Sequence, residues 1–240
     1  MHRVAAALLA TTLLASCAPP SVLPADGRES VSRTLARQPR YLRVAVYVGP
    51  FFGDRSRVLI SDRPPSELAV LEAPDGKPIL PPPATRILPP GTPVFVDQVQ
   101  FPTGAILWSR PLTTPRYNPW LLVTVEGVPQ PAVLLLSAES SRPEDVVAEV
   151  GRVLTPDDPT TVFAALNDSW RDAIREKALV EGMTREAAAM AWGFPDKIVM
   201  DRPNRTEEWS WEGSSRKASF HDDRLVRKSA GDDKPADAPR

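Results

Sequence analysis

The sequence predicts an α+β protein: an N-terminal all-β module, either a small barrel or a sandwich, followed by a unit of two helices and three antiparallel strands. Three observations lead to this fold class. Seventeen of the 28 prolines lie between Pro50 and Pro131, where they block long helices and favour short edge strands. Residues 41–48 alternate with a period of two, which is typical of a half-buried strand. Apolar residues at helical spacing begin only after Ser141.

The overall composition argues against several classes of function. The chain has 240 residues with 29 Lys and Arg against 30 Asp and Glu, so the net charge of −1 argues against a nucleic-acid partner. One cysteine permits neither an intrachain disulfide nor a cysteine-rich zinc site, and two histidines nearly exclude a histidine-based metal site. We therefore expect no metal and no cofactor, in a chain whose length fits one large or two small domains.

The N-terminus is typical of a signal peptide. A short cationic start that includes Arg3 precedes the uncharged stretch 4–15. The twelve residues of this stretch would form a helix of about 18 Å, which is too short for a hydrocarbon core of about 30 Å. We therefore assign residues 1–16 to a cleaved signal peptide.

The end of this stretch, Leu14, Ala15, Ser16 and then Cys17, resembles the bacterial lipobox. The resemblance implies cleavage before Cys17, a diacylglycerol thioether on its sulfur and a fatty acid such as palmitate on the new amine. Such acyl chains anchor a protein stably in a bilayer. Ala18 stands where inner-membrane lipoproteins have aspartate, so the resemblance implies the periplasmic face of the outer membrane. The alternative is an ordinary secretory signal in which the cysteine stands by chance.

The next two segments predict a tether and the β-rich module. Residues 17–40 have early prolines and few apolar side chains, so we expect a lipidated tether. Residues 41–138 contain five to seven short stretches of strand pattern, separated by turn signals such as Pro74-Asp75-Gly76 and Pro90-Gly91. The stretch LPPGTPVFVDQV at 88–99 resembles the turn and strand that open bacterial SH3-like modules.

The second half of the chain predicts helices before strands. We expect a connecting helix over 141–157 and a separate unit over 158–229. In that unit apolar side chains four apart predict one helix, and Thr184 and Gly193 mark the start and end of a second. Three strands are expected at 197–200, 206–211 and 216–220, before a turn into 225–227. The polar residues 230–240 are expected to be a disordered tail.

A set of residues in this unit resembles the BamE (SmpA/OmlA) lipoprotein domain over residues 167–228. The matching positions are Gly182, Met183 and Thr184 before the second helix, Gly193 and Pro195 after it, Trp209 and Trp211 on the middle strand, and Phe220 on the last strand. Alanines at 188 and 191 and a tryptophan at 192 depart from the family's larger aliphatic residues. The resemblance implies an accessory, non-catalytic protein that presents a sheet face to other proteins.

Few side chains in the sequence suit catalysis. After cleavage His221 would be the only histidine, and beside Asp222 and Asp223 it is at most half of a metal site. The paired carboxylates at 157–158 are expected to cap a helix, and those at 207–208 to straddle a strand. The sequence contains neither a Gly-rich phosphate loop nor a nucleophile elbow. We therefore expect no enzyme; the alternative, a hydrolase, requires a folded cleft that holds a carboxyl of raised pKa.

These observations together predict a lipid-anchored protein of the cell envelope that binds other proteins. Its expected partners are membrane lipid, through Cys17, and envelope proteins. The BamE resemblance implies an accessory role in outer-membrane protein assembly. The alternative is a cell-wall or small-ligand binding lipoprotein in which Trp108 and Trp120 of the β-rich module form a stacking surface, although core packing is the simpler interpretation of both rings.

Overall fold

The computed structural model describes residues 23–229, and over these residues the protein is mostly β. Cys17, the other lipobox residues and the expected tail at 230–240 lie outside the described residues. The helices are α1 (Ala25–Leu35), α2 (Gly104–Ser109), α3 (Pro143–Val153), α4 (Thr160–Ala164), α5 (Asp168–Arg175) and α6 (Arg185–Trp192). The strands are β1 (Gln38–Leu42), β2 (Val46–Phe51), β3 (Asp54–Ser61), β4 (Leu71–Glu72), β5 (Pro78–Ile79), β6 (Arg86–Leu88), β7 (Pro93–Gln100), β8 (Trp120–Val125), β9 (Ala132–Leu135), β10 (Leu154–Thr155), β11 (Lys197–Asp201), β12 (Thr206–Ser210), β13 (Lys217–His221) and β14 (Arg224–Ser229).

The predicted fold class is wrong for the first half of the chain. Eight strands form one mixed sheet in the order β10-β1-β7-β8-β9-β3-β2-β6, where the prediction was a small SH3-like barrel or a sandwich. The pair β3 and β9 is parallel, with Val58 opposite Ala132, and the other neighbours are antiparallel. The outermost strand, β10, follows α3 in the chain. Alternating apolar residues indicate a strand but not the strand with which it pairs. The sequence pattern therefore could not show that β10, far along the chain, joins this sheet.

The predicted fold class is also wrong for the second half, which is not a helix–helix–three-strand unit of the BamE kind. Its sheet has four antiparallel strands in the order β11-β12-β13-β14. The chain reverses after β13 through Asp222 and Asp223, whose φ angles are both positive, +50° and +64°. Such a two-residue turn matches the twist of a hairpin, so β14 pairs along β13 as a full strand. The expected first helix is also divided, because the Asn167 side chain accepts a hydrogen bond from the Trp170 N–H and starts α5 as a new helix.

Part of the segment expected to be a tether belongs to the folded body. Residues 25–35 form α1, which buries Gly27, Val31 and Leu35 against α3 and β7. A Cβ on Gly27 would lie 3.4 Å from Pro143 Cγ, which is van der Waals contact, so the first turn of α1 packs directly on the start of α3. The expected connecting helix is likewise part of this layer, since α3 continues directly into β10, which pairs with β1.

The eight-stranded sheet is covered differently on its two faces. Alternate residues of β8 separate, so that Leu121 and Val123 join the cluster under α1 and α3, while Trp120 and Leu122 join a smaller cluster with Phe51 on the other face. A third cluster fills the space between the four-stranded sheet and α5 and α6. None of the helices over residues 23–229 has both the length and the apolar character that crossing a membrane requires.

The two sheets meet at the segment between β1 and β2. The Ala45 N–H donates a hydrogen bond to the Met190 C=O at 2.7 Å, and Lys177 Nζ donates to the Ala45 C=O at 2.7 Å. The Arg43 guanidinium lies 4.3 Å from the centroid of the Phe194 ring. We call this region the junction.

Candidate functional site

The residues that carried the BamE resemblance contribute to one apolar core and its turns rather than to an exposed site. Gly182 and Gly193, on either side of α6, have φ angles of +84° and +81°, which glycine adopts without strain. The Thr184 side chain caps α6 by accepting from the Ala187 N–H at 3.2 Å, and Pro195 follows the helix half-buried. The large side chains share one buried cluster, with ring centroids 4.7, 5.3 and 6.1 Å apart: Met183, Trp192, Trp209, Trp211 and Phe220.

The outer edge of the four-stranded sheet, at β11, is open. β11 pairs with β12 on one side, and within residues 23–229 no strand pairs with its other side. All five of its residues are exposed. Ile198 and Met200 point to the face that carries Trp209, and Val199 points to the opposite face. The edge therefore combines free backbone N–H and C=O groups with large apolar side chains on both faces.

The opposite edge of the same sheet, at β14, is covered by the chain itself. The Gly182 N–H donates to the Leu225 C=O at 2.8 Å, and the Leu225 N–H donates to the Met183 C=O at 2.8 Å. Thr184 and Arg224 form a further bridge. The β14 edge is therefore partly covered, at its first two residues, whereas no strand within residues 23–229 pairs with the outer side of β11.

The two neighbouring carboxylates next to β11 point to opposite faces of the sheet. Glu207 is buried, and it accepts from Arg185 Nη1 at 2.7 Å and from the Trp209 indole N–H. Glu208 is exposed on the other face, where Arg227 Nη2 lies 3.9 Å from Oε1. The two groups therefore cannot converge on one substrate atom as an acid and a base. Glu207 instead binds Arg185 and the Trp209 indole, and Glu208 contributes a charge to the exposed face.

A cleft of about 1060 Å³ lies beside the junction. Two walls come from residues 59–70, at the end of β3 and after it, and from residues 134–140, at the end of β9 and after it. The other walls come from α3 and from the residues just outside the β11–β12 pair, at 196 and 212–213. Carboxylates outnumber cations among its charged lining residues, which are Asp62, Arg63, Glu67, Glu139, Asp145, Glu149, Arg152, Asp196 and Glu212.

Ion pairs hold the walls of this cleft together. Asp196 accepts from Arg63 Nη2 at 2.8 Å and from Arg152 Nη2 at 2.9 Å, so one carboxylate links the segment after β3 to α3. Glu67 pairs with Arg216 Nη2 at 2.8 Å, and both side chains are less than a tenth exposed. Charges this well buried are stable only while paired, so the contact fixes this segment against the four-stranded sheet.

Glu149 on α3 lines the cleft and has a shifted protonation equilibrium. Burial raises its pKa to about 7, and the opposing effects of the Ser137 N–H, Arg152 and Arg63 are smaller. The Ser137 N–H donates to one carboxyl oxygen at 2.8 Å. A carboxyl with this pKa can donate or accept a proton near neutral pH. The hydrolase alternative requires a cleft that holds a carboxyl of raised pKa, and Glu149 is such a group.

Lys177 is a second buried titratable group close to the cleft. Burial lowers its pKa to about 7, and the charges of Asp62 and Glu67 oppose that effect. Its Nζ donates to the Ala45 C=O, and the Trp192 indole N–H donates to the Lys177 C=O at 2.9 Å. The lysine thus ties α5 and α6 to the larger sheet from inside the junction.

The structure gives His221 no set of metal ligands. The ring is half exposed at the end of β13, and its Nδ1 lies 3.4 Å from Asp222 Oδ2. Among residues 23–229, no three or more His, Cys, Asp and Glu side chains are grouped so that they could hold a metal ion.

The two tryptophans of the proposed stacking surface lie in different environments. Trp120 is 1% exposed and packs edge-to-face on Phe51, with the Arg110 guanidinium 3.9 Å from its centroid. Trp108 is 80% exposed on α2. The two rings therefore do not form a common surface, and core packing is the correct interpretation for Trp120 only.

Two features were missed in the sequence, although each leaves a signal. Glu149 stands three residues after Val146, on the same stripe that carries Val150 and Val153, so a helical projection places this carboxyl on the buried side of α3. Ile198, Val199 and Met200 are three successive large apolar residues in a strand. A strand covered on one face needs only every second residue to be apolar. Three successive apolar residues therefore indicate a strand with apolar side chains on both of its faces.

Comparisons with known proteins identify no relative: no protein-family model, curated protein or solved structure matches the chain.

Proposed function

We propose that this chain is a lipid-anchored protein of the bacterial cell envelope, on the periplasmic face of the outer membrane, which binds an extended segment of another envelope protein along β11. The observation that carries the binding proposal is the open edge of β11, where all five residues are exposed and three are large and apolar. The lipid anchor is supported by the lipobox-like residues that end at Cys17.

An added strand is the occupant that suits this edge. A partner strand would pair with the free backbone groups of β11, while its alternate side chains would cover Ile198 and Met200 on one face and Val199 on the other. Soluble proteins usually protect such an edge with lysine, proline or a covering loop. The chain covers the start of β14 in this way, at Leu225, and does not cover the middle of β11.

The particular role in outer-membrane protein assembly is not carried over from the BamE resemblance, because the fold that implied it is absent. What supports protein binding is the geometry of the edge alone.

A matched pair of variants tests this proposal. Val199 on β11 and Val226 on β14 are each 50% exposed, so Val199→Lys blocks the open edge and Val226→Lys is its control on the opposite edge. A photo-crosslinking amino acid is placed at position 198 or 200 in cells, and products are identified by mass spectrometry. We expect the same envelope protein at both positions, lost with Val199→Lys and kept with Val226→Lys.

Four results would count against the proposal. Absence of any envelope protein at both positions, or crosslinks that survive Val199→Lys unchanged, would remove strand addition. A crosslinked second copy of this chain would show that β11 is a dimer edge instead. An unmodified thiol at Cys17 in the protein purified from membranes would remove the anchor, independently of the edge.

A second candidate function is the binding of a small ligand in the cleft, favoured by the position of Glu149 in its wall. Soluble cell-wall muropeptides are the probe, and thermal shift is the measurement. A shift that Glu149→Gln changes between pH 6 and pH 8 would support this candidate, and the absence of any shift would exclude these probes as ligands.

A further inference from the structure

The open edge of β11 and the cleft meet at Asp196, the residue before β11. The Asp196 N–H donates to the Ser210 C=O at 3.0 Å, so backbone pairing with β12 continues one residue beyond Lys197. The side chain of Asp196 lines the cleft, together with Glu212 and Gly213, which follow β12. A segment that pairs with β11 and continues past Lys197 therefore arrives at a wall of the cleft.

The cleft has an excess of negative charge. Its two cationic residues, Arg63 and Arg152, share one carboxylate, Asp196. Burial raises the pKa of Glu149 to about 7, so that carboxyl is only partly ionised near neutral pH. The lining carboxylates that form no ion pair with any residue in 23–229 are Asp62, Glu139, Glu149 and Glu212. These groups outnumber the one arginine charge that Asp196 leaves over, so the cleft favours a positively charged occupant.

The same cleft offers apolar surface beside these carboxylates. Leu68, Val70 and Leu135 line it, and Val70 is 38% exposed. Lysine and arginine side chains pack an aliphatic stem on apolar surface and keep the charged head among polar groups. The unpaired carboxylates come from four separate segments, and within residues 23–229 no three or more of them are grouped as metal ligands. A long cationic side chain can reach such dispersed groups, so it is the occupant that suits the cleft.

We propose that the segment which pairs with β11 continues into the cleft and places a lysine or arginine side chain there. The proposal rests on strand addition at β11 in the proposed function, and it names the chemistry of the partner: an apolar extended stretch next to a cationic side chain. Complementary charge favours this partner over others and fixes its register on β11. A slip of the added strand by two residues would keep its apolar faces but would move the cation out of the cleft.

Crosslinking from the cleft tests whether one segment occupies both places. Ala69 is exposed in the wall formed by residues 59–70, so a photo-crosslinking amino acid fits at that position. We expect the envelope protein captured at position 198 to be captured at position 69 as well. Mass spectrometry should locate the second crosslink beside a lysine or arginine of the partner, within a few residues of the first crosslink. Val199→Lys should weaken both crosslinks, because the segment is held at β11.

Reversal of charge on the rim of the cleft tests the cationic contact. Glu139 and Glu212 are exposed lining residues, and the variant Glu139→Lys with Glu212→Lys reverses both charges. The matched control is Glu126→Lys with Glu181→Lys, which changes two exposed carboxylates outside the cleft lining.

The probes are labelled peptides with one alternating valine and threonine stretch and either two lysines or two glutamates beside it. The charged pair is placed at each end in turn, and both termini are capped. Binding to the full chain, purified from membranes in detergent, is measured by fluorescence anisotropy. In one of the two orders, we expect the lysine peptide to bind wild type and the control about tenfold more tightly than the glutamate peptide. The cleft variant should reverse this preference.

The outcomes separate the cleft from the edge. Equal affinity of the lysine and glutamate peptides for wild type, or the same preference in the cleft variant as in the control, would overturn the inference and leave strand addition at β11 in place. Crosslinks at position 198 without the same protein at position 69 would have the same meaning. Absence of any envelope protein at positions 198, 200 and 69 would remove strand addition and this inference together.

Discussion

Replacement of Glu149 by glutamine tests whether the cleft contains a half-buried carboxyl that keeps its proton up to about neutral pH. The carboxyl has an ordinary pKa of 4.5, and burial raises it to about 7 in the folded protein. The folded state therefore binds the proton more tightly than the unfolded state. The stability from this group is complete below the unfolded pKa and is lost as pH rises through the folded pKa.

The structure sets the size of this effect. One unit of pKa shift corresponds to about 1.4 kcal/mol, so the free energy of unfolding should lose about 2.5 kcal/mol from this group between pH 5 and pH 8. Glutamine stays neutral, and its side-chain oxygen can still accept from the Ser137 N–H. We therefore expect Glu149→Gln to gain about 2.5 kcal/mol relative to wild type over that interval.

Urea unfolding of both proteins at pH 5 and pH 8 measures this difference directly. Glu126→Gln, at an exposed position in the β8–β9 turn, is the control and should follow wild type at both pH values. Parallel pH dependences of wild type and Glu149→Gln would refute the reasoning, because they would mean that Glu149 is ionised and solvated in the folded protein.

The remaining predictions concern the contacts between the two sheets and the cap of α6, and each is measured as the free energy of unfolding in urea. Arg216→Met should lower the free energy of unfolding by about 3–5 kcal/mol, because it leaves the Glu67 charge buried and unpaired. Adding Glu67→Met should recover most of that loss. If the double variant loses the sum of the two single losses instead, the prediction is wrong. Because burial lowers the Lys177 pKa from 10.5 to about 7, the folded state binds that proton less tightly, and stability should rise by about 2 kcal/mol between pH 7 and pH 9. Lys177→Met should lack this rise. Thr184→Ala should cost about 1 kcal/mol at any of these pH values, through loss of the cap on α6.

Features set by neighbouring residues could be predicted from the sequence. Thr184 and Gly193 mark the ends of α6 because each acts through its own backbone or the next turn of helix. The strand at 206–211 contains β12, since its alternation comes from residues that face one core. These elements required no knowledge of distant contacts.

Sheet order could not be predicted, because it depends on contacts between distant residues. β10 has two residues, too few for any pattern, and becomes a strand only because β1 offers Leu42 and Tyr41 as partners. β3 pairs with β9 in parallel across more than seventy residues of chain, and nothing local in either strand specifies that direction. The prediction of a barrel or sandwich failed at this step.

The position of the proposed site could not be predicted from the sequence. The aromatic residues that carried the expectation of a protein-binding sheet face are buried in the fold. The exposed edge instead carries Ile198, Val199 and Met200, which have no distinctive chemistry. Their significance comes from the absence of a neighbour on one side of β11 over residues 23–229, and only the assembled sheet reveals that.

Buried contacts fix β11 relative to the larger sheet. The Glu67–Arg216 pair and the hydrogen bond from Lys177 to Ala45 join the two sheets through buried groups. Buried charges and polar groups resist separation, because each would have to leave its partner. Rotation of one sheet against the other is therefore opposed, so β11 keeps a fixed direction relative to the eight-stranded sheet. Arg216→Met should consequently alter the crosslinks made from β11 even though that residue lies away from the edge.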